Sequence, residues 1–304
     1  MWPITEKRAK PLLPLAGIPL ISHLTEKIPN NIPIVVSTNA AFGNDFIEWK
    51  NTQDRSNISI VVEETINDDQ KLGALGAVAQ WIENENIYED VLLLTGDNYC
   101  GFSIEKFISS ARPSISLLAA HDIGNLGLAK LFGTVLLNED GKQIKGFEEK
   151  PKNPKTTLVS TGCSILSAEI LPILKEYAKQ HPDNIGGIFE ELIQRNINID
   201  CFQFEDPWFD IGSFNAYIEA TKILVGNHTL KDSEEQIQNC TLNGANVIGA
   251  GSRVINSTLN NVVLFNNCIV DDCILENCII DNECALKGID LTGKMLRERT
   301  TLKM

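Results

Sequence analysis

Three short stretches of this sequence join charged side chains to the glycine, proline or aromatic residues that could hold them in place. Leu94-Thr95-Gly96-Asp97-Asn98 closes an apolar run. A carboxylate at the tip of a buried strand can offer oxygen to a hard cation such as Mg2+, and the alternative is an Asp-Asn pair that simply starts a turn. Gly146-Phe147-Glu148-Glu149-Lys150-Pro151 holds a lysine followed by proline. Such a lysine can clamp a phosphate as a point charge, or it can be no more than a charged strand end. Trp208-Phe209-Asp210-Ile211-Gly212-Ser213 places Asp210 between aromatics and a Gly-Ser turn. Asp210 is either a second metal ligand or a carboxylate facing a helix dipole. The four histidines (His23, His121, His181, His228) form no pair with catalytic or ligand spacing.

The elements that must position these groups alternate along the first two thirds of the chain. Ile32–Val36, Ile58–Val62, Val91–Leu94 and Ile115–Ala119 read as strands. Gly43–Lys50, Gly73–Glu83 and Ser103–Ala111 read as helices, the last with a serine cap, and a further helix spans Phe214–Leu224. Strands separated by helices of this length predict crossover units and a largely parallel sheet. Ligands of such sheets bind outside the carboxyl ends of the strands.

After Val225 the helical period stops. From Ile237 to Leu286 a phrase recurs as Asn239-Cys240-Thr241-Leu242, Asn256-Ser257-Thr258-Leu259 and Asn267-Cys268-Ile269-Val270. It continues as Asp272-Cys273-Ile274-Leu275, Asn277-Cys278-Ile279-Ile280 and Glu283-Cys284-Ala285-Leu286. Five- or six-residue steps with a small residue and an aliphatic at fixed places predict a β-solenoid of about three coils. Gaps of four, four and five residues separate Cys268, Cys273, Cys278 and Cys284. Zinc sites favour tighter C-x2-4-C pairs, so these cysteines are read as small stacked packing residues. The predicted boundary lies near Gly226, giving residues 1–226 and 227–304.

The chain has 304 residues, about two domains' worth, with 26 Lys and Arg against 40 Asp and Glu, a net charge of −14. That balance argues against nucleic-acid binding, which needs a basic face, but leaves room for a nucleotide substrate. No apolar run approaches the roughly 20 residues of a membrane span, and Met1–Arg8 has no apolar signal core. The eight cysteines are expected as free thiols. The expectation is a cytoplasmic protein with no nucleic-acid or membrane partner.

Taken together and in order, these motifs resemble the sugar-1-phosphate nucleotidylyltransferases. Trp2 to Gly17 is similar to that family's proline- and lysine-containing N-terminal stretch, and Leu72-Gly73-Ala74-Leu75-Gly76-Ala77 to its base-contacting glycine turn. Leu94–Asn98 resembles its metal-binding aspartate loop, Glu148–Pro151 its E-K-P motif, Ser160-Thr161-Gly162 its sugar-contacting turn, and Trp208–Gly212 its second metal loop. The coils resemble the left-handed β-helix of longer members. The resemblance implies an α/β, Rossmann-like, mostly parallel sheet with a short C-terminal left-handed β-helix. It also implies transfer of a nucleotidyl group from a nucleoside triphosphate to a sugar 1-phosphate, giving an NDP-sugar and pyrophosphate, with Mg2+ as cofactor. Lys10 would face the triphosphate, Asp97 and Asp210 would hold Mg2+, and Lys150 would clamp the sugar phosphate. Glu149 would meet a sugar hydroxyl, Gly133, Thr161 and Gly162 would line the hexose, and Gly73 and Gly76 the base. Gly76 stands where some thymidylyl-transferring relatives carry glutamine, which leans towards guanylyl or another class.

The family's G-G-x-G-T-R loop and the strand before it belong directly upstream of Trp2, and the sequence starts at Met1. A start set too late is the expectation, because Trp2-Pro3-Ile4-Thr5 is kept as if a working loop preceded it. The alternative is a catalytically silent homologue that binds sugar nucleotides or regulates an active partner. β-Helix tails often mediate assembly in relatives, so a homo-oligomer is among the expected partners. Acetyl transfer by the coils is disfavoured by the absence of histidine after His228.

Overall fold

The structure is a computed structural model, and it describes residues 1–63, 72–231 and 236–304. These residues divide into two compact units. One gathers Met1–Leu24, Gly96–Tyr99 and Phe209–Met304, and the other Thr25–Thr95 and Cys100–Trp208.

The second unit is an α/β assembly. Its six-stranded sheet runs in the order Ile199–Phe204, Ser116–Asp122, Leu158–Leu166, Gly133–Leu137, Ile144–Glu149, with Val91–Leu94 pairing on Leu158–Leu166. Ile199–Phe204 runs parallel to Ser116–Asp122. Leu158–Leu166 runs antiparallel to Val91–Leu94, Ser116–Asp122 and Gly133–Leu137, and Ile144–Glu149 antiparallel to Gly133–Leu137. Four of the six strands therefore share one direction, and Leu158–Leu166 and Ile144–Glu149 oppose them. The reversal arises where no crossover helix separates Gly133–Leu137 from Ile144–Glu149, so the chain returns as a hairpin. Ile34–Asn39 and Ile58–Glu63 form a separate parallel pair. Helices Ala74–Asn84, Leu171–Ala178 and Gly187–Gln194 lay Leu75, Ile82, Leu174, Phe189 and Leu192 into the core beside Val135, Phe147 and Ile199.

The coils of the first unit form a left-handed β-solenoid. Thr241 pairs with Thr258, Thr258 with Ile274 and Ile274 with Asp290, steps of 17, 16 and 16 residues. One aliphatic column runs Leu230, Val247, Val263, Ile279, Met295, and a second runs Ile237, Val254, Val270, Leu286, Leu302. The array thus begins at Thr229, before the recurring phrase, and reaches Lys303, with five rungs on two faces rather than about three. The terminal coils keep the aliphatic but lose the Asn/Asp-Cys/Ser signature that carries the sequence pattern.

The corners explain that signature. Asn239, Asn256, Asp272 and Gly288 stack as one column of positive φ, Gly244, Asn261, Asn277 and Gly293 as another, and Gly251, Asn267, Glu283 and Arg299 as a third. A left-handed turn is open to glycine and most readily tolerated by Asn and Asp among the rest. The residue after the corner points inward. Ser257 Oγ donates to the Ile255 carbonyl (2.7 Å), and the Cys273 and Cys278 thiols donate to the carbonyls two residues back (3.2 Å each). The cysteines act here as polar packing residues interchangeable with serine, and all eight in the chain are free thiols.

Candidate active site

In the first unit, residues distant in sequence meet around Asp97. The N-terminal stretch carries only short 3-10 turns, Ile4–Glu6 and Lys10–Leu12, and a two-residue strand, Pro14–Leu15. Its apolar side chains hold it. Ile4, Leu13 and Leu15 are buried in one cluster with Ile211, Tyr217 and the coil residues Val247, Val263 and Ile279. Pro11 packs on the next loop, where a Cβ on Gly96 would lie 3.1 Å from its ring. Lys10 Nζ then stands 3.7 Å from Asp97 Oδ2. The Asp97 carboxylate also accepts the Asn98 side-chain amide at Oδ1 (3.1 Å), and Asn98 is buried.

Asp210 arrives from the other direction of the chain. Ile211 N donates to the Asp97 carbonyl (3.0 Å), which makes the two aspartate-bearing segments hydrogen-bonded neighbours. Beyond them, the helix Phe214–Val225 is capped by Ser213, whose Oγ accepts Ala216 N (3.2 Å). The N-cap hydrogen bond of that helix is therefore made by Ser213 and not by Asp210. Two carboxylates agree in chemistry and number with what Mg2+ commonly takes from a protein, the rest of its shell being water and substrate phosphates. Among the described residues, no group of three or more His, Cys, Asp or Glu side chains could hold a metal by itself.

The second unit gathers the expected sugar-side residues. Gly133 faces Glu149 across the antiparallel pair. A Cβ on Gly133 would lie 2.9 Å from Glu149 Oε2, and one on Gly186 would overlap the same atom. The Glu149 carboxylate thus lies against two glycines, and the space above Gly133 holds protein side chains. Glu149 N donates to Glu190 Oε1 (2.6 Å), a contact that sequence reasoning missed, since Glu190 reads only as an acidic residue in a helical first turn. Burial pushes the Glu149 carboxyl above its ordinary range, opposed by Lys150 and aided by the Glu190 charge. Lys150 Nζ lies 3.9 Å from Glu149 Oε1, whereas Glu148 turns outward to Lys155 (2.7 Å).

Lys150 has φ 46°, although a residue before proline favours extended backbone. Its N–H donates to the Phe132 carbonyl (3.1 Å), which holds it there. Non-glycine residues kept in such conformations concentrate at functional sites. Gly162 also has a positive φ (70°), and a Cβ there would overlap the Thr95 side chain. Thr95 N donates to the Gly162 carbonyl (3.0 Å). Thr161 is buried with its hydroxyl on the Ala119 carbonyl (2.9 Å), so that side chain secures the strand. Gly73 sits at φ 71°, ψ 158°. Leu75 N and Gly76 N both donate to the Pro182 carbonyl (2.8 and 3.0 Å). That anchor also escaped sequence reasoning, because nothing in the spacing links residues 75 and 182.

Residues 1–226 match the family model described as Nucleotidyl transferase. The chain belongs to the nucleotidyl transferase family. This nucleotidyl transferase is 26% identical over 200 residues to a glucose-1-phosphate adenylyltransferase of Mycoplasma mobile, covering 62% of this chain and 52% of that one. It is 24% identical over 285 residues to a glucose-1-phosphate thymidylyltransferase of Streptomyces antibioticus, covering 84% and 72%. It is 28% identical over 216 residues to the bifunctional protein GlmU of Methanococcus maripaludis, covering 70% and 48%. The chain spans about half the length of the adenylyltransferases of Mycoplasma mobile and Lachnospira eligens that it matches (52% and 49%). A solved structure of a provisionally named glucose-1-phosphate thymidylyltransferase from Bacillus anthracis, in complex with a sucrose, superposes with TM-score 0.61 at 20% identity. It covers 72% of this chain and 88% of that one, a likeness of fold. No helix among the described residues is long and apolar enough to cross a membrane.

Proposed function

We propose that this protein transfers a nucleotidyl group from a nucleoside triphosphate to a sugar 1-phosphate, giving an NDP-sugar and pyrophosphate. The reading is supported by the Lys10 ammonium 3.7 Å from the Asp97 carboxylate and by the backbone hydrogen bond that joins the Asp97 segment to the one bearing Asp210. An oxygen of the sugar phosphate forms a bond to the α-phosphorus as the bond to the β-phosphoryl oxygen breaks, and pyrophosphate leaves. The attacking phosphate has its second pKa at about 6, so it is an anion near neutral pH and needs no general base. The barrier is the approach of two polyanions, and catalysis consists of positioning and charge neutralisation.

Lys10 neutralises triphosphate charge. Asp97 and Asp210 would hold Mg2+, which when bound neutralises and aligns phosphate oxygens. Lys150 clamps the sugar phosphate and Glu149 accepts a hydrogen bond from a sugar hydroxyl. Gly162 meets the hexose through its backbone, its missing Cβ making room for Thr95, while Gly73 and Gly76 meet the base through theirs, packed on Pro182. Gly133 and Thr161 serve the sugar side from behind, one by admitting the Glu149 carboxylate and the other by fixing the strand.

The test is pyrophosphate release over a panel of triphosphates and sugar 1-phosphates with Mg2+. It is run on the 304-residue chain and on the chain extended by the in-frame codons preceding Met1. Release with one pair identifies base and sugar. No release with any pair, from either protein, rejects the enzymatic reading, and tight binding of an NDP-sugar in that case identifies a silent homologue.

A further inference from the structure

The stretch that carries Lys10 has only short 3-10 turns and a two-residue strand of its own, and part of what fixes it comes from the solenoid. Arg8, two residues before Lys10, points inward. Its Nη1 donates to Asp281 Oδ1 (3.2 Å), and its guanidinium lies over the Phe265 ring, 5.2 Å from the centroid. Asp281 and Phe265 both belong to coils, and both are buried, at 4% and 4% exposure. Asp281 Oδ1 also accepts Asn282 N (2.8 Å), so its carboxylate is held by its own rung before Arg8 reaches it. A guanidinium drawn into such a setting is fixed in direction, because leaving either charge buried without the other is strongly unfavourable, and stacking on an aromatic face adds to this. The neighbouring Lys7–Glu298 pair (2.5 Å) is different in kind, with Lys7 70% exposed. From the other side, the buried Tyr217 hydroxyl donates to the Pro14 carbonyl.

The geometry points to Arg8 and Asp281 as positioning residues through which the solenoid sets the place of Lys10 beside Asp97. The coils would then be a working part of triphosphate handling rather than an appended module. The role assigned to Lys10 rests on the function proposed above. A displacement of about 1 Å far from the reacting atoms can cost on the order of 100-fold in rate, so a rung that moves Arg8 reaches the reaction through Lys10.

The full chain is compared with its Asp281→Asn, Arg8→Lys and Lys7→Ala variants by steady-state kinetics and by amide hydrogen exchange. The amides of Leu12 and Leu13 report directly, since they close the turn around Lys10 by donating to the Ala9 and Lys10 carbonyls (2.9 and 3.0 Å). Asp281→Asn is expected to raise KM for the triphosphate about tenfold, to leave KM for the sugar 1-phosphate within about twofold, and to speed exchange at Leu12 and Leu13 about tenfold. Arg8→Lys keeps the charge but loses the fork and the stacking surface, and should show the same split in weaker form. Lys7→Ala should match the parent protein. If Asp281→Asn does not fold, Arg8→Lys decides. Unchanged exchange at both amides together with an unchanged triphosphate KM would overturn the inference. If the parent protein turns over no substrate pair, the functional reading fails instead, and exchange alone then judges the tie between the coils and the stretch that carries Lys10.

Discussion

Replacing Asp97 by asparagine separates charge from shape at the centre of the candidate site. The backbone carbonyl that accepts Ile211 N (3.0 Å) is untouched, and an asparagine Oδ1 can still accept the Asn98 amide now bound at 3.1 Å. The lost interaction is with Lys10. At 3.7 Å, two unit charges attract by about 1 kcal/mol in bulk water and about 4 kcal/mol at an effective dielectric near 20. The side chains are 42% and 34% exposed, so solvent screening brings the stability effect below about 1 kcal/mol. The effect on turnover should be far larger, because the carboxylate is asked to hold charge against a phosphate in a transition state. Loss of one such electrostatic group costs about 100-fold or more, equivalent to about 2.7 kcal/mol. Pyrophosphate release at saturating substrate, beside chemical denaturation of the same sample, measures both quantities. A loss of turnover under threefold removes Asp97 from the mechanism, and a stability loss of several kcal/mol would mean that the residue is a fold element instead.

Other positions give independent checks. Gly73 occupies backbone space that is nearly exclusive to glycine, and a Cβ there would come 2.5 Å from the Pro182 carbonyl; Gly73→Ala should destabilise by at least about 1–3 kcal/mol in urea titration, and a neutral result would show that the turn relaxes freely. Burial chiefly raises the Glu149 pKa, with Lys150 opposing and Glu190 assisting. The unfolded chain releases this proton at about 4.3, so between that value and the raised folded pKa the native state binds more protons and stability falls as pH rises. Glu149→Gln should flatten that part of the stability–pH curve, and an unaltered slope would refute the assignment. Cys273→Ser should cost no more than about 1 kcal/mol, since Ser257 makes the same bond to the carbonyl two residues back on the neighbouring coil; elemental analysis of the parent protein should find no stoichiometric thiolate-bound metal, and finding one would overturn the packing role.

Local chemistry made much of this molecule legible from its residues. The strands at Val91–Leu94 and Ile58–Glu63 and the helix at Ala74–Asn84 fall within a residue or two of their hydrophobic patterns, because each pattern records which face must leave water. The solenoid was equally visible, since a small residue and an aliphatic recur at fixed places along its steps. Its extent was not, because Gly288, Gly293 and Arg299 continue the corner columns without repeating the Asn-Cys phrase.

Pairings that close over long separations left no mark in the sequence. The opposed direction of Leu158–Leu166, the Pro182 carbonyl beneath Leu75 and Gly76, and the Glu190 carboxylate on Glu149 N each join segments whose partner is chosen by the whole sheet. The same is true of the company that Lys10 keeps. Order along the chain set Lys10, Asp97 and Asp210 far apart, and residue type fixed only what each could do. Their arrival in one compact unit with the coils, around a buried apolar cluster that runs from Ile4 to Ile279, was decided by tertiary packing, because burial of apolar surface is non-directional and becomes specific only when distant segments complete one another's shape.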